Sequence, residues 1–348
     1  MLAESVLISS DISRELKSFL AQKTYSKIVV LTDENTHRHC YPLISDALPA
    51  THITIQIHSG EEQKNLQTCT TIWQKMTDHA LDRHALMIVL GGGVLGDMGG
   101  FCAATYKRGI DFVLIPTTLL AQADASIGGK LGIDFNHFKN HIGVFQSPVR
   151  TILYDAFLRT LPYTELRSGF AEVVKHTLIS DRAMWDVVRT NMLESQPWEQ
   201  LIRHSAEFKS QVVTEDPKES GLRKILNAGH TVGHALESYL LGKNSRVLHG
   251  EAIAVGLICE AYISWKKGMI DQASFNQIKD FLLGVYGKIE FGENEIELIA
   301  ALTVQDKKNK GNKILCVLFD KIGSARWDCE ISVDEVKGAL SFYRAAQT

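Results

Sequence analysis

Short β-branched runs alternate with helical patterns through about the first 155 residues of this 348-residue chain. The runs read KIVVLTD, HITIQIH, ALMIVLGGG, DFVLIPTT and VRTILYD, and helical patterns such as EEQKNLQTCTTIWQKMTDHAL lie between them. Strands that alternate with helices predict a mainly parallel sheet covered on both faces. Ligands of such sheets bind beyond the carboxyl ends of the strands, where TDEN, GGGVLGD and PTT fall here.

Helical periodicity dominates from about residue 161 onward. Pro162 and Pro197 stand where proline opens helices, and glycines stand where helices would stop: Gly242, Gly268 and Gly287. A strand pattern returns at NKILCVLFD, before a final helix near VDEVKGALSFYRAAQ. We predict an α/β N-terminal domain with a mainly parallel, Rossmann-like sheet at residues 1–160. A mostly α-helical C-terminal domain follows at residues 161–348.

Composition excludes several classes of protein. The net charge of -3 gives no basic surface of the kind that binds nucleic acid or anionic membranes. No apolar run approaches the roughly 18–20 residues that a membrane span needs, and the N-terminus does not resemble a signal peptide. Six scattered cysteines without C-x-x-C spacing indicate free thiols in a reducing compartment. We therefore expect a cytoplasmic, soluble protein, for which a small anionic substrate remains open.

The glycines of GGGVLGD match G-x-G-x-x-G after a predicted strand, with Gly91, Gly93 and Gly96 at the motif positions. Glycine lets the backbone approach a pyrophosphate at a helix start. The alternative is a tight strand-to-helix turn packed with small residues. The motif follows the third predicted strand rather than the first, and Asp97 comes at once instead of some twenty residues later. The motif alone leaves both interpretations open.

Polar residues follow four successive predicted strands, which favours one extended ligand lying across the sheet edge. A dinucleotide has that shape. Besides the glycine motif, the residues concerned are Asp33, Asn35, Glu61, Lys64, Thr117 and Thr118.

Histidines and a carboxylate form a second candidate site. His230 and His234 are four residues apart, so both face one side of a helix and could both bind a metal. Glu172 and Lys175 share one side of an apolar helix, where a buried charge needs a partner. Glu172, His230 and His249 could supply the two-histidine, one-carboxylate set of a catalytic zinc. A lone histidine is more often a core or surface residue, and His249 could instead cap a helix. Spacing does not choose between these alternatives.

Cationic residues with polar neighbours recur along the chain, although each one alone is more often a solvated surface charge. Lys130 in IGGK differs, because the preceding glycines leave backbone N–H groups free near an ammonium, which suits phosphate or carboxylate. The others are Arg108, Lys139 with Asn140, Lys209, Arg223, Lys307, Lys308 and Lys310.

Eight motifs in order resemble those of the 3-dehydroquinate synthase family. They are GGGVLGD, YKRG, IPTTLLAQADASIGGK, KNHIG, LPYTELRSGFAEVVKH, LNAGHTVGHALE, LHGEAIAVG and DKK, which span most of the chain. The resemblance implies a dehydroquinate synthase-like fold with an NAD-binding α/β domain, a helical metal-binding domain and usually a homodimer. The loop LGIDFNHFKNHIG departs from the family pattern, with Phe138 where a small glycine commonly precedes Lys-Asn.

The resemblance also implies roles for individual residues. Glu172, His230 and His249 would hold a metal ion, normally zinc with cobalt as an alternative, and His234 would contact substrate instead. The substrate would be surrounded by Lys130, Asn140, Lys175, Lys209, Arg223, Asn227, His234 and Lys307 or Lys308, with Asp124 near the nicotinamide. Arg108, and also Arg223, are candidates to reach the neighbouring subunit. NAD would contact Asp33, Asn35, Glu61, Lys64, Gly92, Gly93, Val94, Asp97, Thr117, Thr118, Lys139 and Thr160.

The reaction that the resemblance implies belongs to the shikimate pathway of aromatic amino-acid biosynthesis. It converts 3-deoxy-D-arabino-heptulosonate 7-phosphate to 3-dehydroquinate and phosphate by NAD-mediated oxidation, phosphate elimination, reduction and intramolecular aldol closure. Another sugar phosphate cyclase is the nearest alternative, although His234 and Lys139–Asn140 resemble the dehydroquinate synthase pattern. A metal-dependent polyol dehydrogenase would release net NADH. A non-catalytic NAD-binding protein would need no metal set.

Overall fold

The chain falls into two compact units. A computed structural model describes residues 2–136, 138–243, 247–304 and 313–346. The first unit comprises Met1–Leu166 and Trp198–Gln211, and the second comprises Arg167–Pro197 and Val212–Thr348. The division predicted between residues 160 and 161 stays a prediction. The sequence pattern does not indicate that residues 198–211 belong with the first unit.

Six of the strands form one parallel sheet in the first unit. The described strands are β1 Val6–Ile8, β2 Ile28–Asp33, β3 Ile53–Ile57, β4 Leu86–Gly91, β5 Asp111–Pro116, β6 Lys130–Phe135, β7 Phe138–Phe145, β8 Arg150–Leu153, β9 Ile314–Lys321 and β10 Ser324–Ile331. The sheet order is β1-β8-β5-β4-β2-β3, and every neighbouring pair is parallel. The predicted parallel sheet is confirmed. The glycine motif follows the fourth strand rather than the third, because Val6–Ile8 is also a strand.

Helices cover the faces of this sheet, and other helices make up most of the second unit. The described helices are α1 Ile12–Leu20, α2 Glu34–His39, α3 Leu66–Asp78, α4 Gly93–Thr105, α5 Tyr163–Ser180, α6 Arg182–Thr190, α7 Trp198–Glu215, α8 His230–Gly242, α9 His249–Lys266, α10 Gln272–Tyr286, α11 Ile296–Thr303 and α12 Val333–Ala345. Pro162 and Pro197 directly precede α5 and α7, and α8 ends at Gly242, as predicted. Within the described ranges, no helix combines the length and apolarity that a membrane crossing requires.

Strand β4 reads as a continuous apolar run because both of its faces are covered. Met87 and Val89 belong to one apolar cluster, which also contains residues of α3 and α4. Leu86, Ile88 and Leu90 belong to a second cluster, which contains residues of α1. Successive side chains of a strand point to opposite faces, so two cores select apolar residues at every position. These two cores hold the carboxyl end of β4, and therefore the glycine motif, in a rigid frame.

The segment after IGGK is an antiparallel hairpin of β6 and β7, so its description as a loop was wrong. Leu131 and Ile133 point into the apolar cluster beside α4, and Ile142 and Val144 of β7 pack against the same cluster. Period-two burial is the cause, but glycines and polar residues at the intervening positions conceal it in the sequence. The pattern EEQKNLQTCTTIWQKMTDHAL is also divided, because Asn65 caps α3 and separates it from the short 3₁₀ turn at Glu61–Gln63.

Helices α8 and α9 pack closely in the second unit because glycines face the neighbouring backbone. A Cβ atom built on Gly256 would lie 1.8 Å from the carbonyl oxygen of Gly229, and one on Gly233 would lie 2.9 Å from that of Ala252. The antiparallel hairpin β9–β10 contacts α9, with Phe319 N–H donating to Ser264 Oγ. Close approach of the two helices places the histidines of GHTVGH and LHGE on neighbouring helix starts.

Candidate cofactor and metal sites

The glycine motif forms the turn between β4 and α4 in the first unit. Gly92 is the N-cap of α4 and provides no side-chain cap. A Cβ atom on Gly92 would lie 2.9 Å from Thr118 Cγ2, and one on Gly91 would lie 2.5 Å from Leu95 Cδ1. A Cβ atom on Gly96 would meet nothing within 4 Å. Close packing therefore explains Gly91 and Gly92 but not Gly96. The first N–H groups of α4 have no side-chain cap.

A cleft adjoins this turn. Its lining includes four residues that the sequence predicts for NAD or substrate, namely Gly92, Gly93, Asp97 and Lys130. Much of the rest is small or apolar: Gly91, Gly96, Pro116, Ala121, Ala125, Ser126 and Gly129. Val94, also predicted for NAD, lies in the first turn of α4. The small side chains leave room beyond the carboxyl ends of β4 and β5. Together with the uncapped N–H groups at the start of α4, this room fits a phosphate-bearing cofactor.

Lys64 links two other predicted site residues. Its Nζ donates to Asp97 Oδ2 and to Asn140 Oδ1, each at 2.6 Å, and Lys64 itself is 5% exposed. Burial raises the pKa of the Asp97 carboxyl above its usual value, and the Lys64 ammonium offsets part of that rise. Asn140 has a φ of 51°, and its N–H donates to Asp134 Oδ1. Lys64 thus orients residues predicted for two different ligands.

The remaining predicted cofactor residues at this edge make local contacts. Asp33 caps α2 by accepting from Thr36 N–H at 2.7 Å, and Asn35 Nδ2 donates to Ser59 Oγ. The Thr117 N–H donates to Gly91 O, and Thr118 Oγ1 accepts from Ala121 N–H. The Glu61 carboxylate lies 3.7 Å from Lys139 Nζ. Thr160 Oγ1 donates to Phe157 O. Their assignment to NAD stays a prediction.

Asp124 and Lys209 form an ion pair in the first unit. Lys209 Nζ lies 2.7 Å from Asp124 Oδ1 and donates to the Asp124 carbonyl oxygen at 2.7 Å. Asp124 belongs to a π-helical turn at Ala121–Ala125, an arrangement that is frequent at functional sites. Lys209 is on α7 and 7% exposed. The structure thus brings together two predicted catalytic residues that are 85 positions apart in the chain.

Three predicted metal ligands converge in the second unit. Glu172 Oε1 lies 3.3 Å from His249 Nε2 and 3.6 Å from His230 Nε2. The Glu172 side chain is 1% exposed, and its Oε2 is in an ion pair with Lys175, which is equally buried. Zn–N and Zn–O distances of about 2.0–2.2 Å in a tetrahedron put ligand atoms of the same ion about 3.3 Å apart. The two distances from Glu172 Oε1 therefore match the spacing between ligands of one ion, and two imidazoles with a carboxylate have the chemistry that fits Zn²⁺ or Co²⁺.

His234 is also close to this group. The candidate ligand atoms of His230, His234 and His249 all lie within 4.8 Å of one another. The ring of His234 is 4.9 Å from that of His230 and 5.7 Å from that of His249, measured between centroids. His234 is more exposed than the other two. Geometry alone therefore allows it either to bind a metal or to face a ligand, and its assignment to substrate stays a prediction.

Glu237 is a neighbour of the metal group that the sequence analysis missed. Its Oε2 lies 3.4 Å from His249 Nδ1. Burial lowers the pKa of His249, but hydrogen bonds to Glu172 and Glu237 overcome this effect and raise it to about 9. Burial lowers the pKa of His230 well below its ordinary value, although Glu172 opposes this. Glu237 follows His230 by seven positions, and this two-turn spacing on one helix face is the signal that could have identified it.

Two contacts hold α5 and α9 together at the metal group. A Cβ atom on Gly250 would lie 1.9 Å from Ser168 O, and the Gly250 N–H donates to Ser168 Oγ. The Arg167 guanidinium pairs with Glu251, whose other carboxylate oxygen accepts from Leu248 N–H at the start of α9. Glu172 and His249 are therefore held at neighbouring positions because RSGFAE and HGE pack backbone to backbone.

Other predicted substrate residues of the second unit lie near the short helical turn Leu222–Asn227. Asn227 Nδ2 donates to Glu219 Oε1 at 2.8 Å. Arg223 is 2% exposed, and its Nη1 donates to Pro217 O. Backbone hydrogen bonds, of which that from Gly221 N–H is the strongest, lower the pKa of Asp216 to about 2. Lys307 and its alternative Lys308 lie outside the described residues.

Arg108 lies in a strained turn of the first unit. Lys107, Arg108 and Gly109 have successive φ values of 49°, 69° and 107°. Positive φ at two non-glycine residues costs on the order of 1–3 kcal/mol each, and such strain clusters at functional sites. This turn therefore has a conformation that local sequence preferences alone would not produce.

Comparisons with known proteins cover both units. The family model described as 3-dehydroquinate synthase N-terminal matches residues 54–168, and the one described as 3-dehydroquinate synthase C-terminal matches residues 169–309. A 3-dehydroquinate synthase of Parabacteroides distasonis is 36% identical over 349 residues, with 99% of each chain covered. One of Acetivibrio thermocellus is 39% identical over 324 residues, covering 90% of this chain and 88% of the relative.

Solved structures share the fold at lower identity. A 2-epi-5-epi-valiolone synthase of Streptomyces hygroscopicus, with NAD⁺ and Zn²⁺ bound, has a TM-score of 0.85 at 23% identity and covers 99% of this chain and 97% of its own. A 2-deoxy-scyllo-inosose synthase, complexed with carbaglucose-6-phosphate, NAD⁺ and Co²⁺, has a TM-score of 0.81 at 21% identity, with 98% and 96% covered. At these identities the similarity establishes the architecture.

Proposed function

Because this chain belongs to the 3-dehydroquinate synthase family, we propose that it converts 3-deoxy-D-arabino-heptulosonate 7-phosphate to 3-dehydroquinate and phosphate. The enzyme is then a phosphorus–oxygen lyase of the shikimate pathway. The observation that carries the proposal is the convergence of Glu172, His230 and His249, with donor atoms 3.3 and 3.6 Å apart, in a chain that matches the family along nearly its whole length.

The metal ion is proposed to be Zn²⁺ or Co²⁺, bound by Glu172, His230 and His249. Two imidazoles and one carboxylate leave a fourth position open for a substrate oxygen. His234 is then available to contact the substrate, and Glu237 orients His249 through its Nδ1. Solved enzymes of the same fold contain Zn²⁺ or Co²⁺, which supports this assignment.

NAD is proposed to lie along the carboxyl ends of β2 to β5 in the first unit. The uncapped start of α4 suits the pyrophosphate, and Asp33, Asn35, Glu61, Lys64, Thr117 and Thr118 stand at neighbouring strand ends. The further proposed contacts are Gly92, Gly93, Val94, Asp97, Lys139 and Thr160.

When bound, the metal ion polarises a substrate hydroxyl and NAD accepts and returns a hydride. The side chains of the chain position the substrate for this chemistry. Basic side chains, amides and a histidine are proposed to orient its phosphate, carboxylate and hydroxyls: Lys130, Asn140, Lys175, Lys209, Arg223, Asn227, His234 and Lys307 or Lys308. Asp124, fixed by its ion pair with Lys209, is proposed to lie near the nicotinamide. In well-oriented reactions, such positioning lowers the activation barrier by about 7–11 kcal/mol.

Phosphate release without net NADH is the expected outcome with the heptulosonate phosphate. NAD is regenerated in each turnover, so absorbance near 340 nm should stay flat while inorganic phosphate rises in step with substrate loss. The two products should be measured in the same sample. Glycerol with NAD is the control, since a polyol dehydrogenase would accumulate NADH from it. One NADH for each substrate consumed would refute the proposed lyase activity.

We also propose a homodimer and a cytoplasmic location. Within the described residues, β7 pairs only with β6, and its Phe138 and Phe145 are 60% and 65% exposed. An open strand edge with exposed aromatic residues favours pairing with another chain. Arg108 then reaches the neighbouring subunit's site, and Arg223 is the second candidate. Every cysteine among the described residues has a free thiol, which supports a reducing compartment.

Replacing Phe145 by Glu is expected to convert the dimer to a monomer. A carboxylate there would have to be desolvated in the proposed interface, which opposes association. Light scattering after size-exclusion chromatography gives the molar mass directly. Met192→Glu is the matched control, because Met192 is 78% exposed in the second unit, and this variant should stay dimeric. A dimeric Phe145→Glu protein would show that the interface lies elsewhere.

A further inference from the structure

The turn before His230 has a conformation that its own residues do not fix. Gly229 is the N-cap of α8, has a φ of 78° and offers no side-chain cap. A Cβ atom there would lie 2.8 Å from Leu257 Cγ and 3.0 Å from Ile253 O. The left-handed conformation and the lack of space both require glycine. Because glycine is the most flexible residue, something outside the turn has to hold this peptide.

Helix α9 contacts the two peptide units that flank the Gly229 Cα. The carbonyl oxygen of Gly229 faces Gly256, where a Cβ atom would come within 1.8 Å. The N–H of Gly229 donates to Oε2 of Glu260, one turn further along α9, at 2.6 Å. Glu260 is 0% exposed. A carboxylate acceptor makes a shorter and stronger hydrogen bond than a neutral one, and it places negative charge at the positive start of α8.

His230 depends on this peptide for its orientation. It is the first residue of α8, its Nδ1–H donates to Ala228 O at 2.9 Å, and its Nε2 lies 3.6 Å from Glu172 Oε1. Ala228 and His230 thus lie on either side of Gly229. The Ala228 carbonyl and the Gly229 N–H belong to one peptide plane, so a rotation of that plane would move the acceptor of His230 Nδ1–H, and Nε2 would leave the group of metal donors.

We propose that Glu260 is a positioning residue for the metal site: by accepting the Gly229 N–H it fixes the turn that aims His230 Nε2 at the ion. The inference rests on the proposed function, because it takes His230 as a metal ligand. Glu260 acts in this arrangement through Gly229 and His230. Interactions that orient a ligand typically change metal affinity by about 10- to 100-fold.

The test compares Glu260→Gln with Glu260→Met in the full-length protein. The Gln amide oxygen still accepts from Gly229 N–H, whereas Met has a similar length and no acceptor. We expect the Co²⁺ dissociation constant to rise about 10- to 100-fold in Glu260→Met and less than about threefold in Glu260→Gln. The ligand-field absorption of bound Co²⁺ should change in Glu260→Met alone.

Ser264→Ala is the matched control. It removes a buried hydrogen bond from the next turn of α9, since Ser264 Oγ donates to Glu260 O and accepts from Phe319 N–H, but it leaves the Gly229 contact in place. It should bind Co²⁺ as the wild type does, even if its melting temperature falls. Should Glu260→Met not fold, Glu260→Asp replaces it, because its carboxylate is one methylene too short to reach Gly229.

Two results would overturn the inference. Wild-type affinity and absorption in Glu260→Met would show that the contact does not position His230, and an equal loss in Glu260→Gln would show that the acceptor is not the cause. Failure of the proposed function has a different signature, because the wild-type protein itself would then bind no metal or release no phosphate.

Discussion

Glu172→Gln is expected to abolish metal binding and turnover while the chain stays folded. The substitution keeps the size of the side chain but removes the negative charge that faces His230, His249 and Lys175. A neutral amide is a poor ligand for Zn²⁺, so metal affinity should fall by more than the ~100-fold that orienting residues typically contribute. Lys175, 1% exposed, would lose a buried ionic partner, and stability should fall by about 3 kcal/mol.

Metal content, phosphate release and thermal melting of the purified variant together test this prediction. Glu199→Gln is the control, since Glu199 makes an exposed helical ion pair with Arg203, worth less than about 1 kcal/mol. Chelation should inactivate the wild-type protein and added Zn²⁺ should restore it. Full metal content and activity in Glu172→Gln would refute the ligand assignment.

Gly256→Ala is expected to lower the stability of the second unit strongly. The new methyl group would lie 1.8 Å from Gly229 O and 2.9 Å from Gly233 N, and both are backbone atoms that cannot rotate away. Overpacking of this kind costs about 3 kcal/mol, and relief requires α8 to move away from α9. Because α8 begins with His230, metal affinity should fall together with stability.

Urea unfolding and Co²⁺ titration of the same preparation measure both effects. Gly338→Ala is the matched control, because Gly338 is also helical, in α12, and a Cβ atom there meets nothing within 4 Å. That substitution should be neutral or stabilise the chain by up to about 1 kcal/mol. Wild-type stability in Gly256→Ala would mean that the two helices can separate without cost.

The sheet was predictable because its strands are marked by composition. Strands β2, β4 and β5 are buried on both faces, so their apolar runs are nearly continuous, whereas exposed and buried residues alternate in the edge strand β3. All four, and β8, were predicted from β-branched runs. The β6–β7 hairpin was not predictable in this way. Gly132 and Gly143 face each other across it, and a Cβ atom on Gly143 would lie 2.3 Å from Leu131 O. Only the partner strand reveals why glycine is needed there.

The candidate sites were predictable where a residue type restricts the chemistry. Glu172, His230 and His249 were candidates because two imidazoles and a buried carboxylate can bind a metal, and the resemblance to the family favoured this set over the His230–His234 pair. Glu237 and Glu260 were missed, because a single glutamate in a helical pattern looks like an ordinary surface charge. Their importance follows from contacts with His249 and Gly229, which are 12 and 31 residues away in the chain.

The amino-acid sequence by itself indicated five of the six strands of the parallel sheet, the glycine turn after β4 and the family. These depend on local periodicity and on residue types that tolerate few substitutes. Only the tertiary structure decided which polar groups meet: Lys64 with Asp97 and Asn140, Lys209 with Asp124, and Glu260 with the Gly229 N–H. Such pairs join residues brought together by backbone packing, and that proximity has no periodic signature along the chain.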